Sequence, residues 1–227
     1  MDTYQRLIRP ALFRLSAEHA HSVARSAMRV PGPFRLVGQR GTDDPRLAVD
    51  LAGIALSNPI GLAPGFDKDG RLLHSLENLG FGYAVVGSVT EEARTGNPRP
   101  RLVRYPDRQS LANAMGLPNG GAHVAAAGLA AHAPRRMAAL VSVAGPSAKS
   151  IIGAAKAVAS HAAAIEVGLV CPNSSETERM AELDMLHELL DGLLPVVGRP
   201  VFVKLPPHRG EDERVHVFRM VEMCVDA

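Results

Sequence analysis

"IGLAPGFDKDG", residues 60–70, sets three glycines, a proline, two aspartates and a lysine directly behind an apolar start. Such a composition breaks a helix and ends a strand. Glycine adopts positive φ and lets backbone approach a ligand closely. Backbone amides beside the Lys68 ammonium suit an anion or an electron-rich heterocycle. The competing reading is a plain βα turn with a surface lysine. Neither GxGxxG nor GxxxxGK[ST] occurs here, so the turn is not a standard phosphate fingerprint.

Outward from this turn, apolar strand-like runs alternate with helical spacing. "IGLAP", "GYAVVGSVT", "AALVSVAG", "AIEVGLV" and "PVFVKL" are followed by helices expected near 69–79, 120–132, 147–161, 179–194 and 212–224. This βα series predicts an α/β fold with a parallel sheet, either doubly wound or a closed (β/α)8 barrel. Gly65 and Lys68, Ser88 and Thr90, Cys171 and Asn173, and Lys204 all fall where strands end, and in a barrel that rim carries the chemistry. The clustering favours the barrel. Eight strands close such a barrel, and five are legible, so an incomplete barrel is expected.

Residues 1–45 read as a helical extension and linker, and residues 46–227 as the partial barrel. Between Tyr4 and Val30, apolar residues recur at helical spacing, with Pro10 in a first turn and Ser16 as an N-cap. Two short amphipathic helices fit. "PGPFRLVGQRGTDDPR" reads as a connector.

The 227 residues are 46% hydrophobic and 21% charged, ordinary for a folded soluble body. A net charge of +2 without a basic, aromatic-interleaved stripe argues against nucleic acid. The two cysteines lack metal-type spacing and are too few for a disulfide framework, so no metal site is expected. No apolar stretch approaches the ~20 residues of a spanning helix. Residues 1–40 lean basic, which suits either an anionic membrane surface or a solvated helix face. The expected location is cytoplasmic, or peripheral on the cytoplasmic side of a membrane.

Three further segments carry chemistry. "VCPNSSE", residues 170–176, puts Cys171 at a strand end, where a thiolate removes a proton or attacks carbon and Asn173 orients a carbonyl. A buried, inert cysteine is the alternative. Lys204 lies inside the apolar "FVKLPP", where an unpaired ammonium is costly, so it is expected to face a ligand or a carboxylate. "LANAMGLPNGG", residues 111–121, offers Asn113 and Asn119 in a glycine-rich loop that alone is only a turn.

"NPIGLAPGFDKDG", "FGYAVVGSVT", "GNPRPRLVRYPD", "NAMGL", "CPN" and "VFVKL" occur in this order, and together they resemble the dihydroorotate dehydrogenase family. "RPALFRLSAEHAHSVA" is similar to the helical extension of its membrane-associated, quinone-using branch. The resemblance implies an FMN-containing TIM barrel that oxidises dihydroorotate to orotate in pyrimidine synthesis and passes electrons to quinone. It implies that Pro64, Gly65, Phe66, Asp67, Lys68, Ser88 and Ser142 line the flavin and that Lys204 contacts its ring. Lys68, Asn113, Ala114, Met115, Gly116, Leu117 and Asn173 would hold the substrate, and Cys171 would be the base. His21 and Arg104 would face a quinone tunnel, with peripheral membrane contact through residues 1–40.

Several positions depart from the family pattern. Cysteine as base typifies the soluble branch, whereas the N-terminal extension belongs to the other. Gly168 and Ser142 stand where flavin-contacting asparagines are expected, each lost hydrogen bond to a charged or strongly polar partner costing about 1.5–3 kcal/mol. The family's last three strands, with a substrate-binding Asn-Thr pair and phosphate-gripping loops, are not found before Ala227. A silent partial barrel acting as a scaffold or gene remnant, and a flavin oxidoreductase for another cyclic amide, are therefore alternative expectations.

Overall fold

The computed structural model describes residues 4–37, 44–133, 136–169 and 181–227. At the N-terminus, α1 (Arg9–Phe13) carries Pro10 in its first turn, and α2 (Ala17–Met28) is capped by Ser16, whose hydroxyl accepts from the His19 amide. Both helices lie where the apolar spacing puts them. The segment read as a connector is not wholly irregular, because it contains α3 (Gly32–Val37). Pro33, tolerated in a first helical turn, does not break it.

A small hairpin, β1 (Val49–Leu51) and β2 (Ile54–Leu56), precedes the main sheet. The chain then alternates: β3 (Gly61–Leu62), α4 (Leu73–Asn78) and β4 (Tyr83–Val89). A second hairpin, β5 (Leu102–Tyr105) and β6 (Ser110–Asn113), interrupts the alternation. It resumes with α5 (Ala122–Ala131), β7 (Ala138–Val143), α6 (Ala148–Ala159), β8 (Ala164–Gly168), α7 (Leu183–Val197), β9 (Val201–Lys204) and α8 (Glu211–Asp226). Neither hairpin is signalled by the period-2 pattern, because exposed and half-buried residues fill both apart from the buried Leu56.

The five sheet strands lie in the order β3-β4-β7-β8-β9, all parallel. Each of these strands sits beside the main-sheet strand that precedes it in the chain. A doubly wound sheet reverses direction at a switch point, and this sheet does not. The sequential winding is that of a (β/α) barrel wall.

Burial on both faces explains the near-continuous apolar runs. Ala84, Val86, Val141, Val143, Ile165 and Val167 face the helices and join the main core with Leu73, Ile151, Leu186 and Leu189. Val85, Leu140 and Ala164 face inward, packed with Tyr83, Phe202 and Ile54 of the first hairpin. Side chains alternate between faces along a strand, so Ser142, Glu166 and Lys204 share the inner face. That parity brings polar groups to the concave side. Among the described residues no helix is long and apolar enough to cross a membrane.

Candidate functional site

The turn after β3 is held by its own polar groups. The Gly65 amide donates to the Gly87 carbonyl at 2.6 Å, and the Gly87 amide donates to the Asp67 carbonyl at 2.9 Å. Asp67 is buried, and its carboxylate accepts from the Arg71 and Leu72 amides at 3.0 and 2.9 Å. Those bonds brace the entry to α4. The Asp67 side chain therefore builds the loop rather than lining the cavity. Gly65, at φ +117, has nothing within 4 Å of where a Cβ would stand. The loop thus presents bare backbone to open space.

That space is a cavity of about 480 Å³ at the C-terminal ends of the strands. Pro64, Gly65, Phe66 and Lys68 wall it on the β3 side, Ser88 follows from β4, and Lys204 ends β9. Asn113 at the end of β6, with Met115, Gly116 and Leu117 just beyond it, closes the cavity, and His21 reaches in from α2. Ten residues inferred from the family resemblance, plus His21, thus meet in one concavity. Ala114 is not among the lining residues; its carbonyl accepts from the Asn97 side chain at 3.0 Å. Ser142 lies fully buried beneath, its hydroxyl 3.0 Å from that of Ser88. Cys171 and Asn173 fall outside the described residues.

Lys204 departs from expectation in its surroundings. It ends its strand and is exposed, so it faces the cavity without the burial cost anticipated for an interior ammonium. Asn119 proves structural. It donates to the Thr90 hydroxyl and the Leu117 carbonyl at 2.9 and 2.8 Å and accepts from the Gly121 amide at 2.8 Å. These bonds set the loop from which Leu117 reaches the cavity.

Lys68 is the buried cation of the site, 9% exposed. Burial, reinforced by the charges of Arg25 and Arg101, pushes its pKa down to about 8, with Asp69 and Glu18 opposing. Both carboxylates are committed elsewhere. Asp69 pairs with Arg25 at 3.4 Å and accepts from the Gly120 amide. Glu18 pairs with Arg101 at 2.8 Å and with Arg99 at 3.1 Å. Among the described residues the Lys68 ammonium is therefore left without a paired counter-charge, open to an anionic ligand.

Sequence reasoning missed the scaffold behind this arrangement. Arg101, 8% exposed, donates to Glu18 through two nitrogens and to the Thr95 and Asn97 carbonyls at 2.6 and 3.0 Å. Burial pushes the Glu18 carboxyl up, but Arg101 and Arg99 outweigh it and hold it below its ordinary value. Glu18 thereby fastens α2 to the hairpin that closes the cavity. Nothing local announces a pairing 83 residues apart.

His21 meets Phe66 edge-on, with ring centroids 5.2 Å apart at 85°. Burial, then Arg25 and Lys68, push its pKa down, with Glu18 opposing. These effects favour the neutral imidazole. Arg104 does not share this cavity. It donates to the Leu12 and Leu15 carbonyls, stacks 4.4 Å over Phe13, and lines a separate outer groove with Tyr4 and Arg9. Leu111 borders both spaces. Arg104 thus caps the α1–α2 turn. Among the described residues no cluster of His, Cys, Asp and Glu is arranged to hold a metal ion.

Comparison with known proteins accords with this geometry. The sequence profile of the family described as "Dihydroorotate dehydrogenase" matches residues 46–223. A protein of Clavibacter sepedonicus named "Dihydroorotate dehydrogenase (quinone)" is 35% identical over 236 residues, covering 98% of this chain and 68% of the relative. A protein of the same name from Roseiflexus sp. (strain RS-1) is 35% identical over 237 residues, covering 96% of this chain and 65% of the relative. The chain therefore spans about two thirds of the length of these relatives. A ligand-free dihydroorotate dehydrogenase structure from Eimeria tenella superposes with a TM-score of 0.81 at 23% identity, covering 92% of this chain and 67% of that one. A second structure from that organism, in complex with ferulenol, gives 0.78 at 23% identity, covering 91% and 64%. At that identity the likeness speaks for the barrel fold alone. The profile match and the 35% identity over nearly all of this chain place it by descent: the chain belongs to the dihydroorotate dehydrogenase family.

Proposed function

We propose that this chain carries the site for FMN-dependent oxidation of dihydroorotate to orotate, with quinone as the electron acceptor. The observation that carries the reading is the convergence on one cavity of the Gly65 backbone, the buried Lys68 and the Asn113–Leu117 segment. A space of about 480 Å³ lies within the range of ~300–1,000 Å³ usual for cofactor and small-molecule sites.

The residues present fit the ring end of a flavin. Gly65 leaves its backbone open where a Cβ would intrude, Ser88 offers a hydroxyl, and Lys204 offers an ammonium at the rim. Pro64, Phe66 and Met115 supply apolar surface. FMN bound there would supply the acceptor for the hydride removed from the substrate ring.

In this reading Lys68 binds the substrate carboxylate, since among the described residues Asp69 and Glu18, the carboxylates that act on it, are paired with arginines. Asn113 orients the ring amide from the closing segment. Phe66 and Leu117 exclude water from the reacting face. Cys171 takes the proton from the carbon next to the ring carbonyl. A thiol of ordinary pKa about 8.5 ionises near neutrality more readily than a hydroxyl.

The Gly65 backbone gives a direct test. A valine there suffers both the positive φ and a side chain in the cradle. Titration of the protein with FMN, followed by flavin fluorescence, is expected to show Gly65→Val binding about 5- to 150-fold more weakly than the parent, as a penalty of ~1–3 kcal/mol implies. Equal affinity would remove the 64–68 loop from the flavin site.

A further inference from the structure

Glu166 is a carboxylate that the proposed reaction does not use. It lies on β8 with Ile165 and Val167 on either side, and both of these pack against the helices. Its side chain therefore shares the inner face with Ala164. In register it stands between Ser142 of β7 and Phe202 of β9. Its Oε1 is fully buried and accepts no hydrogen bond among the described residues. A carboxylate oxygen withdrawn from water calls for a donor.

The neighbouring strand offers one. Lys204 faces the same side of β9, in register with Gly168, two residues further along β8 from Glu166. Strand spacing and rise put the Glu166 and Lys204 Cα atoms about 8 Å apart on the diagonal, a distance that these two long side chains bridge together. Gly168 has no side chain to separate them. A Cβ at that position would meet the Val143 carbonyl at 3.6 Å and the Ser142 hydroxyl at 3.9 Å, which are ordinary contacts. The gap is therefore not imposed by crowding.

We propose that Glu166 is a positioning residue for Lys204, drawing its ammonium across Gly168 onto the inner wall. Lys204 then has two stations, one at the cavity rim and one against the Glu166 carboxylate. Glu166 sets how much of the time the ammonium is presented to the cavity. Lys68, on the opposite wall, is outside this exchange.

The test reads Lys204 itself, without flavin or turnover, so it stands apart from the fate of the FMN proposal. The full chain is labelled briefly with acetic anhydride at fixed pH, and acetylation at Lys204 and Lys68 is quantified from one digest. Glu166→Gln is expected to raise Lys204 labelling about two- to fivefold by releasing its counter-charge, with Lys68 unchanged. Gly168→Ala keeps the carboxylate but interposes a methyl group, and is expected to raise Lys204 labelling in the same direction. Unchanged Lys204 labelling in both variants overturns the proposal. So does unchanged labelling in Gly168→Ala alone if Glu166→Gln fails to fold.

Discussion

Lys68→Met is expected to be more stable than the parent chain and yet to lose the ligand. The opposition is informative, because a residue kept only for the fold would not behave so. Burial with Arg25 and Arg101 nearby holds the Lys68 pKa at about 8 against an ordinary 10.5. A difference of that size corresponds to about 3 kcal/mol at most. The sign follows from proton counting. Between pH 8 and 10.5 the unfolded chain holds a proton that the folded chain has released, so stability rises with pH across that window. Below pH 8 both states are protonated and the full penalty for burying the charge applies. Methionine removes it. Urea unfolding at pH 7 is expected to show Lys68→Met more stable by about 1–3 kcal/mol, with the difference shrinking towards pH 10.5.

Ligand binding moves the other way. A charge-assisted contact to a carboxylate contributes about 2–3 kcal/mol, so orotate affinity is expected to fall about 30- to 150-fold in Lys68→Met. In the parent chain, orotate affinity should be level below pH 8 and decline above it as the ammonium deprotonates. Calorimetric titration across pH 6.5–9.5 reads both. Unchanged orotate affinity in Lys68→Met would take the substrate carboxylate away from this residue.

The second large effect concerns Cys171. Its replacement by alanine is expected to lower the rate of dihydroorotate oxidation by about 10²- to 10⁴-fold, the usual worth of a positioned general base. FMN affinity should not change. Cys171→Ser is expected to recover part of the rate at more alkaline pH, since a hydroxyl yields its proton less readily than a thiol. Stopped-flow measurement of flavin reduction isolates this step from quinone turnover. An alanine variant that reduces flavin at the parent rate would assign the base elsewhere.

Much of the fold is legible in the sequence for a definite reason. Buried parallel strands need apolar residues on both faces, so β4, β7 and β8 stand out as short, near-continuous apolar runs. The choice between barrel and doubly wound sheet is not local. It depends on strand order, and no window around "AALVSVAG" contains that information. The hairpin β5–β6 escapes because apolar Val103 and Tyr105 are exposed while Arg104 is half-buried, and all of β6 is exposed, so the residue types show no alternation of the kind that marks a two-faced strand. The α3 turn hides under the glycine and prolines of a segment that reads as loop.

The site divides in the same way. Gly65, Lys68 and Lys204 are visible because each is chemically out of place where a strand ends. The resemblance groups Asp67, Ser142 and Arg104 with the ligand contacts, but their side chains brace the loop, lie beneath Ser88 and cap the α1–α2 turn. Glu18 and Arg101 were invisible, since a pair 83 residues apart exists only after α2 has packed on the hairpin. Motifs therefore locate the cavity's lining, and only the fold reveals what holds that lining in place.

The central claim is that these residues form a flavin site for dihydroorotate. It is tested most directly by loading the 227-residue chain with FMN, removing oxygen and adding dihydroorotate while the flavin absorbance is followed. Stoichiometric FMN that bleaches as orotate appears is the result expected. A chain that binds FMN but keeps its colour, or one that takes up no FMN, would contradict the account and leave the family's fold without this reaction.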